Sequence, residues 1–329
     1  MADWIQVIAL ALIQGVTEFL PVSSSAHLIL PTEILGWDDQ GLLFDVGVHA
    51  GTLCAVLWHF RETLRSWAMS VMPGSKVDRS EMWAVVVGTL PAVVAGLVFK
   101  DVIASGARAV PVIIATTVIF GALLGLADQR AKHGDRTTAV VSGRHALLIG
   151  LAQALALIPG TSRSGVTITA ALFLGYHPAS ATRFSFLLSV PVIGGALLMM
   201  MASSGGDLGG IGVDKLIVAS VVSAVFAYVT IRGFLYLLER VGLLPFVVYR
   251  LIQRLVTSNP SPRYVTECVD AFRTGKYDGV TYSGEYGDLE ATVTAILSDR
   301  EARSTILDAD HTFGRLREPW YVFFSLVYV

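Results

Sequence analysis

Residues 4–36 would form one continuous apolar stretch but for a single run, EFLPVSSSAH, at residues 18–27. Its flanks, WIQVIALALIQGVT and LILPTEILG, are almost wholly apolar. The run itself holds a carboxylate, a proline, three serines and a histidine. Polar, broken backbone at membrane depth is tolerated only where protein or a wet cavity surrounds it. A second apolar region, 145–176, is broken in the same way by PGTSRSGVT at residues 159–167. Each half of either region is too short to cross a bilayer at ~1.5 Å per residue. Both regions are therefore expected to dip into the membrane and return as re-entrant hairpins.

Six other segments read as full spans: about 44–60, 82–99, 110–127, 184–202, 214–238 and a shorter one from about 243. Several approach the ~20 apolar residues that a bilayer requires. Composition agrees, since hydrophobic residues make up 53% of the chain and charged residues 15%, against roughly 25% charge in soluble domains. The chain is read as an all-α polytopic membrane protein. Its net charge of -2 offers no reason to expect a nucleic-acid partner. Cys54 lies in an apolar segment and Cys268 in a polar one, so no disulfide framework or zinc site is expected. The N-terminus, Met-Ala-Asp, lacks the basic region of a cleaved signal peptide.

The two interrupted regions resemble each other. LIQGVTEFLPVSSSAHLIL aligns with LAQALALIPGTSRSGVTIT, matching Gln14 with Gln153, Pro21 with Pro159 and Ser24 with Ser162. TLPAVVAGLVF further resembles LLPFVVYRLI. The expected architecture is a duplicated unit of one re-entrant hairpin plus three spans, with repeats at about 1–127 and 144–257. Loop charge sets the orientation. Loops 61–81, 128–144, 176–183 and 239–243 carry ten lysines and arginines, whereas loops 37–43, 100–109 and 203–215 carry three. The first set is expected to be cytoplasmic, with Arg61 and Arg65 as anchors and the N-terminus outward. Three spans between the hairpins make the repeat inverted, so the tips should meet near the midplane.

Residues 1–257 thus form the expected membrane unit and residues 258–329 a small polar appendage. Within the appendage LEATVTAILSDREA suits a short helix, and WYVFFSLVYV is apolar but too short for a helical span. The same topology puts this tail outside. Met199, Met200 and Met201 are expected to be span packing.

The two tips carry the chemistry. Gln14 and Glu18 are four apart and share a helix face. Pro21 ends that helix, Ser23, Ser24 and Ser25 are placed to cap the next one, and His27 falls in its first turn. A capped helix pair with one paired carboxylate would also explain these residues. Ionisable groups at membrane depth nevertheless point to function. In the second tip Arg163 stands between Ser162 and Ser164, with Thr161 and Thr167 flanking. A guanidinium, hydroxyls and helix-start N–H groups suit phosphate; a structural Arg163–Glu18 ion pair is the alternative. A carboxylate beside phosphate suits Mg²⁺ or Ca²⁺, here held by Glu18 and Gln14. A serine beside a base can attack phosphorus, and a histidine can move the proton. Asp45 and His49 share one face of a span, either lining the site's mouth or simply interacting with each other.

QGVTEFLPVSSSAH and PGTSRSGVT, with FDVGVHAGTLCAVLWHF and LPFVVYR, resemble the signature regions of the undecaprenyl-diphosphate phosphatase, or bacitracin-resistance, family over about residues 4–256. The resemblance implies an inverted repeat with two re-entrant hairpins. It implies removal of the terminal phosphate of undecaprenyl diphosphate at the outer face of the bacterial inner membrane, recycling the cell-wall lipid carrier. Glu18 would be metal ligand or base, Ser24 the candidate nucleophile, and His27 the acid/base or alternative nucleophile. Arg163 would hold the diphosphate, with Ser23, Ser25, Ser162, Ser164 and Thr167 assisting. The partners would be a polyprenyl diphosphate and membrane lipids, with a homodimer left open. Two departures stand out: Gln14 occupies a position where the family often has Glu, and the tail extends past the family's usual end. Read from the residues alone, an inverted-repeat transporter or flippase for a phosphorylated lipid is the competing function.

Overall fold

The computed structural model describes residues 4–25, 27, 28, 31, 37, 40–99, 110–132, 137, 140–158, 160–203, 212–255, 261–300 and 302. Pro159 and the apolar end at 320–329 lie outside them. The chain is predominantly helical. Its elements are α1 (Trp4–Thr17), α2 (Leu42–His59), α3 (Arg61–Ser70), α4 (Ser80–Val98), α5 (Val110–Lys132), α6 (Gly143–Ala154) and α7 (Arg163–Phe173). There follow α8 (Pro178–Ser203), α9 (Val213–Val241), α10 (Leu244–Leu255), α11 (Pro262–Thr274), a two-residue ribbon of β1 (Lys276–Tyr277) and β2 (Val280–Thr281), and α12 (Leu289–Ser298).

Three of the described helices are long and apolar enough to cross a bilayer: Ser80–Val98, Pro178–Ala202 and Val213–Leu238. A fourth arises if Leu43–His59 and Arg61–Ser70, bent by 73°, count as one span. The expected segments fall on α2, α4, α5, α8, α9 and α10. α8 begins six residues earlier than expected because Pro178 starts it, proline being pre-shaped for the first helical turn. Outward faces carry Leu90, Val94, Leu97, Val98, Val221, Val225 and Val229, all exposed. In water such patches would be a liability; in lipid they are the solvated surface. Met199 and Met201 belong to it too, being 48% and 59% exposed rather than packed inside.

α1 has 14 residues, about 21 Å of rise, short of the ~30 Å hydrocarbon core. It stops just before Pro21. The chain then turns through Ser23, whose φ of 68° is left-handed, and helical backbone resumes at Ser24. α6 is likewise short; a single 3-10 turn, Leu155–Leu157, ends it. There the left-handed residue is Gly160, with φ of 87°, and α7 starts at once under a Ser162 cap whose Oγ accepts from Gly165 N at 3.2 Å. In both interrupted regions a short helix thus ends at a tight turn, after which helical backbone resumes.

Packing follows a repeated pattern. α1 and α2 lie against α9, while α6 and α8 lie against α4. Close approach comes from glycine. Gly47 and Gly51 sit one turn apart on α2, where a Cβ would lie 2.4 Å from Leu216 Cδ1 and 2.2 Å from Ser220 O respectively. This is the small-xxx-small spacing that lets membrane helices touch. Ser220 Oγ and Ser223 Oγ then donate to Gly47 O and Val48 O, each at 2.8 Å. An aromatic chain crosses the core: Phe19 meets Phe186 at 5.2 Å, Phe186 meets Phe234 at 6.0 Å, and Phe234 meets Phe246 at 4.9 Å. It ties the first tip to α8, α9 and α10.

The four basic loops share one end of the molecule. Arg183 donates to both Glu81 oxygens at 3.1 Å and to Thr63 Oγ1 at 3.2 Å. Thr137 bridges Gly175 and His177 through its backbone, and Gly242 lies beside the Asp128 carboxylate.

In the appendage LEATVTAILS does form a helix, and residues 262–298 pack against the helical core. Tyr264, Cys268, Phe272, Ala291 and Ile296 join the main core cluster. Val247 of α10, Phe272 of α11 and Leu289 of α12 meet at Gly125 of α5, so α11 runs back along α10. Beyond it, Tyr286 Oη donates to Asp128 Oδ2 at 2.7 Å and Gln129 Nε2 to Tyr286 O at 3.3 Å. Residues 276–287 therefore sit at the end with the basic loops. The reason is the amphipathic pattern of α11, whose apolar face needs a partner that α10 and α5 provide.

Candidate functional site

The two tips meet, and Glu18 is where they join. Gln14 Nε2, one helical turn before it, donates to Glu18 Oε2 at 2.9 Å, as the four-residue spacing requires. Ser24 Oγ donates to the same oxygen at 2.9 Å. Arg163 Nη2 from the other tip donates to Oε1 at 2.9 Å, and Arg163 Nη1 donates to Ser185 O of α8 at 3.2 Å. The Arg163–Glu18 ion pair weighed from the sequence thus exists, with both side chains mostly buried. Arg163 also lies over the Phe19 ring, 5.8 Å from its centre, a placement that favours a cation.

A cavity of about 230 Å³ opens at this junction. Its polar wall includes Glu18, Ser23, Ser24, Ser25, Ser162 and Arg163, six of the residues singled out from the sequence. Ala92, Leu157, Val192, Ile193 and Ala196 supply an apolar wall.

The other sequence-derived residues stand behind this surface. Ser164 Oγ donates to Leu20 O of the first tip at 2.8 Å and lies 3.1 Å from Ser162 Oγ. Thr167 Oγ1 bonds Arg163 O at 2.8 Å and pairs with Ser185 Oγ at 2.7 Å. Gln14 is buried behind Glu18. His27 is fully buried and outside the cavity lining, its Nδ1 2.8 Å from Ser23 O and its Nε2 3.0 Å from Tyr249 Oη. The imidazole that does line the cavity is His49, with Nε2 4.0 Å from Glu18 Oε2. Its Nδ1 lies 2.7 Å from the backbone O of Asp45, one turn earlier, so of the Asp45 and His49 pair it is His49 that lines the cavity.

Two further polar residues line the cavity: Gln153, aligned with Gln14 in the repeat but given no role from the sequence, and Thr161, read there only as a hydroxyl flanking Arg163. Gln153 Oε1 and Thr161 Oγ1 are buried polar atoms without a hydrogen-bond partner among the described residues. Such atoms are costly unless a ligand or water satisfies them. The signal was present for Gln153, the residue aligned with Gln14 in the repeat.

Fold and site together define a predominantly helical, multi-pass membrane protein whose polar centre is assembled from two hairpin tips. Residues 7–256 match the family described as Bacitracin resistance protein BacA, and the chain belongs to that family. Residues 234–328 match a second family, described as Protein of unknown function (DUF1800). Among curated relatives, an undecaprenyl-diphosphatase of Chromohalobacter salexigens is 52% identical over 261 residues, which is 77% of this chain and 97% of the relative. An undecaprenyl-diphosphatase of Hahella chejuensis is 49% identical over 258 residues, 76% of this chain and 95% of the relative. Undecaprenyl-diphosphatase 2 of Stutzerimonas stutzeri is 52% identical over 261 residues, with coverage of 76% and 95%.

Proposed function

We propose that this protein is an integral-membrane hydrolase that removes the terminal phosphate of undecaprenyl diphosphate, giving undecaprenyl phosphate and inorganic phosphate. The observation that carries this reading is the Ser24 Oγ–Glu18 Oε2 hydrogen bond of 2.9 Å, with Arg163 on the carboxylate's other oxygen. That is a nucleophile, its base and the group that orients the base. Ser24 Oγ attacks the terminal phosphorus and passes its proton to Glu18. The bond from phosphorus to the bridging oxygen breaks, and the lipid phosphate leaves. Glu18 passes that proton to the departing lipid phosphate. Water then attacks the phosphoserine and gives a proton to Glu18, the bond from phosphorus to Ser24 Oγ breaks, and Ser24 Oγ takes the proton back from Glu18 as phosphate is released.

Arg163 would hold the diphosphate, with the hydroxyls of Ser23, Ser25 and Ser162 at the cavity wall and Ser164 and Thr167 fixing the tip behind them. Its fork reads phosphate in two directions and stays charged when desolvated. The transition state for phosphoryl transfer asks mainly for positioning and positive charge. Ser24 is favoured over His27 as nucleophile, because both His27 ring nitrogens already face protein partners. His49 is the imidazole placed to exchange a proton with Glu18.

A divalent cation, Mg²⁺ or Ca²⁺, fits the donor set in one way. Among the described residues no three His, Cys, Asp or Glu side chains form a cage. Glu18 is one carboxylate, and Gln14 Oε1 is a buried oxygen without a partner among the described residues. Cations that bind through one carboxylate plus substrate phosphates suit this pattern. Bound there, the ion would neutralise charge on the diphosphate.

The architecture we propose is six spans and two re-entrant hairpins in an inverted repeat. It is supported by the exchanged packing of α1 and α2 on α9 and of α6 and α8 on α4. The membrane unit would cover residues 1–257 and the appendage 258–329. With the basic loops cytoplasmic, the apolar lining residues on α4 and α8, Ala92, Val192, Ile193 and Ala196, lie in the halves of those helices farther from the loops. That supports a site opening toward the periplasm of a bacterial inner membrane, where a polyprenyl chain could lie in lipid with its headgroup inside.

The test is phosphate release by purified protein in detergent from a polyprenyl diphosphate with Mg²⁺ or Ca²⁺. Release that stops on chelation and returns with the cation is expected. A transporter of a phosphorylated lipid would bind the substrate without releasing phosphate, and that outcome would sink the hydrolase reading.

A further inference from the structure

Arg250 has no exposed surface and is absent from the cavity wall. Its partners are nevertheless the two tips. Nη1 donates to Pro21 O at 3.3 Å and Nη2 to Gly160 O at 3.2 Å. Each carbonyl lies three residues before a site residue, Ser24 in the first tip and Arg163 in the second. The preceding residue, Tyr249, reaches His27 Nε2 with its hydroxyl at 3.0 Å. Thus α10 touches both hairpins from behind, through two adjacent side chains.

We propose that Arg250 is a positioning residue for the phosphatase reaction, a buried fork that sets the register between Ser24 and Glu18 on one tip and Arg163 on the other. The inference rests on the phosphatase reading above. Its chemistry is specific to arginine. A planar guanidinium carries two N–H groups at fixed separation and direction, so two carbonyls bound to it are held at fixed separation too. A lysine offers a single point charge on a flexible stem. Burying a cation at membrane depth is costly and is retained where it serves a purpose. The fold also makes room for it: a Cβ on Gly165 would lie 2.9 Å from Arg250 Nη1.

That contact supplies a second variant. Gly165→Ala would push the guanidinium aside while leaving its charge in the molecule. The experiment compares the wild type, Arg250→Lys, Gly165→Ala and the double variant in one phosphate-release assay, with thermal midpoints in detergent. Each single variant is expected to lower kcat by about 30- to 100-fold, the loss that follows from misplacing reacting groups by ~1 Å. KM should stay within about threefold, since no contact to substrate is removed. The double variant should be no worse than the poorer single one, because both act on the same fork. Unchanged kcat, or a rise in KM alone, overturns the inference. Losses that multiply in the double variant do so too, since Gly165→Ala would then act through Ser162, whose Cβ is 3.1 Å from the added atom. If Arg250→Lys fails to fold, Gly165→Ala is repeated in a Ser162→Gly background, which removes the competing Cβ contact: a kcat loss that persists there supports the inference, and one that disappears overturns it. A wild type that releases no phosphate fails the phosphatase reading, whereas an active wild type with fully active variants fails only the role of Arg250.

Discussion

In the first tip Ser24 and Ser25 are partly or fully open to the cavity. In the second, Ser162 and Ser164 are 2% and 1% exposed and spend their hydroxyls on a helix cap and on Leu20 O. The charges differ as well, a carboxylate in one tip and a guanidinium in the other. The turns differ in the residue that bears the left-handed backbone: Ser23 in the first, Gly160 in the second. We propose that a duplicated scaffold has diverged into a reactive half and a binding half. The reactive half keeps the hydroxyl-bearing Ser24 and Ser25 at the cavity wall and holds Ser23 in a conformation that disfavours side chains. The binding half has its hydroxyls locked, which keeps the arginine still.

If this division is right, the largest losses follow changes in the first tip. Glu18→Gln and Ser24→Ala should each lower kcat by about 10³-fold, as expected for removing a base or a nucleophile, measured as phosphate release under saturating substrate. Equal losses from Ser162→Ala would break the comparison. Arg163→Lys should lose about 10²-fold in kcat/KM, much of it in KM, because one ammonium replaces a two-pronged contact to phosphate. Full activity in Arg163→Ala would remove the second tip from the site altogether. Ser164→Ala leaves Leu20 O without that donor and should destabilise the protein by about 1 kcal/mol, seen as a lower thermal midpoint, while kcat stays within about threefold. The smallest effect is Ser23→Gly. Relief of the left-handed backbone outweighs the greater chain freedom of glycine, so stability should rise by about 0.5 kcal/mol. A loss of stability there would mean that the Ser23 side chain contributes more than its backbone strain costs.

Much of this was legible along the chain because it depends on local spacing. Gln14 and Glu18 bond because residues four apart share a helix face. The pairing of Glu18 with Arg163 followed from the repeat, which gave each broken helix a partner. His27 and His49 show where spacing stops being enough. Both lie within a turn or so of polar residues on apolar helices, yet one faces Tyr249 and the other the cavity. Arg250 was unreadable for the same reason, since its partners are 229 and 90 residues away.

The sequence by itself determined that this chain breaks two apolar regions at matching polar motifs, puts its basic loops at one end, and carries one carboxylate and one arginine for the tips. These follow from hydrophobicity, charge and helical period, which act over a few residues. The tertiary structure alone decided which imidazole reaches the cavity, that Gln153 and Thr161 line it, that a buried arginine bridges the tips from behind, and that residues 262–298 fold back against α5 and α10. Those outcomes depend on which helix lies beside which, and that is settled by close packing at positions such as Gly47, Gly51 and Gly125, far from the residues whose surroundings it fixes.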